Sequence, residues 1–363
     1  MSLNKRFFAL DLVKVLAIVW ICVYHLLDFH EGWQLGSFYG GGDYWRYFSS
    51  TNGFFSALFK LFISLGVIGV NLFVIASAFG LALSSNKKSI SYWQFMKKRV
   101  LRIMPFYWIV LIGLFLLNLI RNLPVNYFDY FVHFFGINNF FSEYVLTISA
   151  PFWFVSTILQ LYLLFPFLFK FSKKIHPILL ILFAILMKSY VDPLVVDFFG
   201  GGRFFTEYII DFVLGIVLGN YFAKRDIKSL NKKYLLFIMP ILFSFIIISF
   251  VNLYSHLATI LPLIYQFSAI LIFLFLFSLI NLLPSKALPF VARASSLSFA
   301  VFLVHYPIIT KLLTRINFEM PFIFESVIAV VIFFIAALFL EWFLNAVKAL
   351  FNSPFLKKGT SPK

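Results

Sequence analysis

The sequence predicts an all-α, polytopic integral membrane protein of about ten transmembrane helices with both termini in the cytoplasm. Three observations carry that expectation. Of the 363 residues 62% are hydrophobic and only 12% are charged. Apolar runs recur at or near the roughly 20 residues that a bilayer crossing needs, longer than a soluble core helix requires. Once those runs are read as crossings, the basic residues sort themselves by side.

The spans fall near residues 7–28, 54–84, 103–120, 152–170, 177–191, 205–223, 234–253, 258–283, 294–314 and 322–346. With a cytoplasmic N-terminus, 22 of the 30 Lys and Arg lie in cytoplasmic segments, six lie outside, and Lys14 and Lys60 lie within spans. The positive-inside rule therefore accounts for the net charge of +16 without nucleic acid as a partner. The 53 Phe exceed what an interfacial aromatic belt would use and fill helix and lipid contacts throughout. The single cysteine, Cys22, sits inside the first span, which excludes a disulfide framework, a cysteine metal site and a redox pair and leaves a small packing residue. The first span is too long and too polar for a cleaved signal peptide and is expected to be retained. Residues 1–350 read as one transmembrane domain and 351–363 as a short basic cytoplasmic tail.

In the first span, Asp11, Lys14, Ile18, Ile21, His25 and Asp28 fall along one face of a helix, and Leu, Val, Ala and Trp20 along the other. An ionisable group near the bilayer centre costs about 2.5–3.5 kcal/mol on insertion scales, so such a stripe marks a functional site. The expectation is a helix that shows lipid its apolar face and turns a cation, an imidazole and two carboxylates toward protein or water. The loop from Asp28 to Gly53, rich in Gly, Tyr and Trp, suits interface anchoring or a carbohydrate. The second span, about thirty residues, must tilt, kink or enter in two pieces. Its Gly66, Gly69, Ser77, Ala78 and Gly80 allow a neighbouring backbone to approach closely, and Asn71 among them is either interhelical hydrogen-bond glue or part of a site.

Arg99 and Arg102, three apart at the cytoplasmic boundary of the third span, are either topology determinants or a fork for phosphates of a cytosolic cofactor. Residues 121–151 form a partly helical external segment in which His133 reads as a surface histidine. The fourth span carries Trp153, Ser156, Gln160 and Tyr162, and Gln160 must face the bundle to find a partner. The sixth span has Arg203, Glu207 and Asp211 at successive four-residue steps, with Arg203 and Glu207 expected to pair. In the ninth, Ser295, Ser296 and Ser298 precede the second intramembrane histidine, His305, with Pro307 after it.

These pieces in this order resemble the membrane-bound acyltransferase family 3, whose members move acetyl and related acyl groups onto bacterial surface polysaccharides and other acceptors. Asp11, Lys14 and His25 match the family's opening Arg-x10-His helix with Lys in place of Arg, which keeps the charge and loses the fork. GVNLFVIASAFGLALS is similar to the second-helix signature, with Ser77 matching and Ala78 where glycine is usual. Arg99 and Arg102 match the family's Arg-x-x-Arg, followed by Pro105, Tyr107 and Trp108. Trp153, Gln160, Tyr162 and Pro166 fit the fourth-helix pattern, though Ile158 and Leu159 stand where glutamates often precede the glutamine. SLSFAVFLVHYPI resembles the late motif that contains His305. The resemblance spans essentially the whole chain and implies the stand-alone form.

What the resemblance implies is an O-acyltransferase of the bacterial plasma membrane. Arg99 and Arg102, with Asn71 and Ser77, would bind acyl-coenzyme A as donor substrate, with no metal, and the acceptor would be a carbohydrate hydroxyl. Lys14 steers the donor, Asp11 accompanies it, and His25 acts as general base or acyl carrier with Asp28 to orient it. Tyr162, Asn71 or His305 supplies oxyanion donors. A transporter or flippase for lipid-linked glycans, or a non-catalytic homologue, are the competing readings; the lack of repeat symmetry weighs against transport.

Overall fold

The computed structural model describes residues 3–30, 59–60, 62–87, 91–224, 261–279, 283–313 and 320–352. The expected seventh span, most of the loop before Gly53 and the basic tail beyond residue 352 lie outside the described residues. Among the described residues the secondary structure is helical and contains no strand. Eight segments there are long and apolar enough to cross a membrane, and a ninth helix, Leu261–Leu279, falls where the eighth span was expected. The chain is thus a multi-pass membrane protein.

In chain order the helices are α1 (Leu3–His30), α2 (Ile68–Ser85), α3 (Tyr92–Ile120), α4 (Tyr127–Phe134), α5 (Trp153–Phe171), α6 (Pro177–Leu186), α7 (Asp192–Phe199), α8 (Ile209–Lys224), α9 (Leu261–Leu279), α10 (Leu288–Lys311) and α11 (Phe322–Asn352). Their ends follow from local chemistry. The Ser91 hydroxyl accepts from Gln94 N–H and caps α3, and Asn126 accepts from Phe128 and Asp129 to cap α4. Pro177 occupies the first turn of α6, where its missing N–H is not needed. Gly200, at φ 68°, stops α7 in the left-handed conformation that glycine adopts without steric cost. The described part of the long second span, from Phe62, runs through a 3₁₀ turn, Leu65–Val67, into α2 as one continuous helical segment.

The bundle is centred on α1. It packs against α2, α9, α10 and α11, and from Phe7 to Phe29 the most open residue is Leu16, 36% exposed, with Val15, Val19 and Trp20 beside it half-buried. The expected lipid-facing side is thus narrowed to that strip, and the rest of the apolar face of α1 is covered by protein. Gly66 and Gly69 make that possible, since a Cβ at Gly66 would lie 2.5 Å from the Tyr24 Cβ and one at Gly69 would lie 2.9 Å from the Ala17 carbonyl. The same device joins α8 to α2. A Cβ on Gly215 would meet the Ile75 carbonyl at 2.6 Å, and one on Gly219 would meet the Ala82 Cβ at 2.6 Å. On the far side of α2, Phe273 and Phe277 of α9 pack their rings on Phe79 at 5.6 and 5.3 Å.

Lipid is met by other helices. Ile178, Leu179 and Leu182 of α6 and Val331, Ile335 and Phe339 of α11 are exposed, as apolar residues facing hydrocarbon should be.

Candidate active site

Five helices, α1, α2, α3, α5 and α10, enclose a cavity of about 420 Å³ at the end of the bundle where α1 begins. Sequence reasoning points to Asp11, Lys14, Ser77, Arg99, Arg102 and Tyr162 from four separate spans, and all six line it. The helix directions explain the convergence. α1 and α10 start at this end with Asp11 and Ser295, α3 starts there with Arg99 and Arg102, and α2 and α5 arrive there with Ser84 and Tyr162.

The polar groups form two linked sets. Ser295 Oγ donates to Asp11 Oδ1 at 2.7 Å, and the Lys14 ammonium lies 3.9 Å from the same oxygen. Ser77 Oγ and the Tyr162 hydroxyl are 2.7 Å apart. The Arg99 guanidinium sits 5.6 Å from the centre of the Phe95 ring and 6.0 Å from that of Tyr162, in cation–π range, with its Nε buried and without a hydrogen-bond partner. Among the described residues neither Arg99 nor Arg102 is paired with a carboxylate, and both act electrostatically on Lys14. Among the described residues three cations therefore share the cavity with one carboxylate, Asp11, which leaves a surplus of positive charge.

Deeper in the bundle lie the two histidines. Their rings are 5.3 Å apart, centre to centre, and neither lines the cavity. Along α1, His25 is eleven residues and so about 16 Å beyond Lys14. His305 is fully buried; its Nδ1–H donates to the Phe302 carbonyl at 2.7 Å, which leaves Nε2 as the ring's lone-pair nitrogen, buried and without a partner. His25 Nδ1 is likewise buried and unpartnered, and the Tyr306 ring stands edge-on to His25 at 5.3 Å. Asp28, one turn on, is 7% exposed.

Asn71 does not line the cavity. Its amide donates to Asp211 Oδ2 at 2.7 Å and joins α2 to α8, the interhelical bond that was one of its two expected roles. Arg203 and Glu207 pair at 3.0 Å as expected. Gln160 faces the bundle, donating to Asn139 Oδ1 and accepting from Phe205 N–H, both at 3.1 Å.

His133 corrects the expectation of a surface histidine: it is fully buried, with Nδ1 3.0 Å from the Asp129 carboxylate, which also accepts from Thr147 at 2.7 Å. Its partner is Asp129, one turn earlier on α4 itself, and the ring is covered from the segment that follows the helix, by Phe152, which spacing alone did not predict.

Sequence reasoning missed the part played by the ninth-span serines: Ser295, Ser296 and Ser298 all line the cavity. Three hydroxyls within four residues of an apolar span were the available signal. Beside the cavity mouth, Lys173 donates to Asn86 and Asn220 just past the end of α2. Burial, and then the neighbouring Lys224, hold its ammonium below the usual lysine range.

A multi-pass helical bundle with a cationic cavity opening at one end and a buried histidine pair beyond it is the arrangement these residues build. The acyltransferase family 3 model, described as an acyltransferase domain, matches residues 7–346, and the chain belongs to that family. Neither the curated proteins nor the solved structures give a match.

Proposed function

We propose that this membrane acyltransferase moves an acyl group, acetyl in the first instance, from cytosolic acyl-coenzyme A to a hydroxyl of a cell-surface polysaccharide or its lipid-linked precursor, in the bacterial plasma membrane. One observation carries the reading: the surplus of cations in a membrane-embedded cavity whose depth is apolar, with an imidazole pair further in. Under the positive-inside rule the cavity mouth faces the cytoplasm, where acyl-coenzyme A is found.

In this reading Arg99 and Arg102 hold phosphates at the mouth, and Arg99 is oriented by the rings of Phe95 and Tyr162. Lys14 offsets charge along the path, with Asp11 fixed by Ser295 to keep the ammonium in place. Once the Phe154 and Phe302 rings that stand between the cavity and the histidines give way, His25, backed by His305, removes the proton of the acceptor hydroxyl as its oxygen attacks the thioester carbonyl. The C–O bond forms, the C–S bond breaks, and the proton returns to the departing thiolate. Ser77 and Tyr162, hydrogen-bonded to each other, line the cavity beside Arg99 and contact the bound donor there.

The test is expression in a host whose surface glycan is followed by proton NMR. An acetyl ester signal should be present with the wild-type chain and absent with His25→Ala at equal protein level. Wild-type levels of ester in the variant would refute the assignment of His25. The Arg99→Ala, Arg102→Ala double variant should bind acetyl-coenzyme A at least tenfold more weakly, and unchanged affinity would return both residues to topology duty alone.

A further inference from the structure

Building on the reading of the cavity as a donor site, we propose that Phe154 and Phe302 form a wall that sets the size of acyl group the cavity accepts. The cavity is graded. Along α2 its lining runs from Ser85 to Phe73, twelve residues or about 18 Å. The mouth holds the cations, whereas the deep end is closed by Phe73, Phe106, Phe154 and Phe299. Such a shape suits an amphiphile with an anionic head outermost and an apolar tail inward.

Two rings stand in series between that deep end and the histidines. Phe154 lines the cavity and is 6% exposed. Its ring meets Phe302 edge to face at 5.2 Å. Phe302, itself 4% exposed, meets the His305 ring at 5.7 Å and supplies the carbonyl that fixes the His305 tautomer. Along α10 the last cavity-lining residue, Ala300, and His305 are five residues, about 7.5 Å, apart. An acyl chain bound tail-inward ends against Phe154, and each added methylene must fit before it or displace it. The wall therefore favours short acyl groups, and thinning it admits longer ones.

Titration calorimetry of the purified protein in detergent with acetyl-, butyryl- and octanoyl-coenzyme A tests this. The wild type should bind the acetyl form more tightly than the octanoyl form. Phe154→Ala and Phe302→Ala should each raise the octanoyl-to-acetyl affinity ratio by about tenfold or more. Phe154→Leu and Phe302→Leu, closer in volume, cover the event that an alanine variant fails to fold, and should shift the ratio less but in the same direction. A wild type indifferent to chain length, or folded variants with an unchanged ratio, would overturn the wall while leaving the donor site standing. A wild type that binds none of the three thioesters would overturn the donor reading itself.

Discussion

His305 has one ring nitrogen committed and one free, and that asymmetry separates its structural from its chemical contribution. Nδ1 is tied to the Phe302 carbonyl, while Nε2 is buried without a partner beside His25. An asparagine amide overlays the Nδ1 end of an imidazole and a glutamine amide the Nε2 end. His305→Asn should therefore keep the bond to Phe302 and leave the melting temperature near wild type, yet lower the transfer rate by about 10²-fold or more if Nε2 takes part in proton transfer. Turnover close to wild type in a folded His305→Asn would confine this histidine to packing. Lys14 poses the complementary question. An ammonium 3.9 Å from Asp11 is a loose pair, and a lysine presents a point charge where the family's arginine presents a fork. Its identity and its place on the site face were readable from an eleven-residue spacing to His25. That Asp11 is held from α10 by Ser295 was not, because 284 residues separate them in sequence.

At the scale of the helix, length and polarity were legible and coverage was not. A helical wheel reports which side of α1 is polar; it cannot report that most of its apolar side meets α2, α9 and α11 rather than lipid, because Leu and Val suit either. The small residues carried that information in part. Gly66 and Gly69 announced a close neighbour without saying which, and Gly215 and Gly219 on α8 turn out to make the same kind of contact with α2. The Phe154–Phe302 wall was not legible for the reverse reason: among 53 phenylalanines nothing in sequence distinguishes these two. The α2–α8 seam gives a prediction. A side chain at Gly215 would put its Cβ 2.6 Å from the Ile75 carbonyl and 2.7 Å from the Ala78 Cβ, so Gly215→Val must push the helices apart, at a cost of about 1–3 kcal/mol. The same shift should stretch the Asn71–Asp211 bond. Thermal denaturation in detergent should show the loss, whereas Gly113→Ala, inside α3 with nothing within 4 Å, should keep or slightly raise stability.

For the whole molecule, charge sets the orientation. The distribution of Lys and Arg predicts both termini in the cytoplasm, which a fusion of green fluorescent protein to the C-terminus checks: fluorescence supports a cytoplasmic tail, and a dark, fully translated fusion refutes it. The spans outside and inside the described residues must then sum to an even number. On the proposed function, the affinity for acetyl-coenzyme A measured by titration calorimetry should fall as ionic strength rises, because charges at an open mouth are screened over about 8–10 Å.

The encasement of α1 has a further consequence for how the chain is made. α1 is synthesised before the other described helices, and the helix that holds its Asp11 and packs against its His25 starts at Leu288, 258 residues after His30. At synthesis rates of about 5–20 residues per second, that interval is roughly 13–50 s. Throughout it a helix bearing a lysine, an aspartate and a histidine must wait in the membrane before its permanent neighbour arrives. Assembly therefore depends on something that shelters α1 in the meantime, and the early partner at hand is α2, already fitted to it through Gly66 and Gly69.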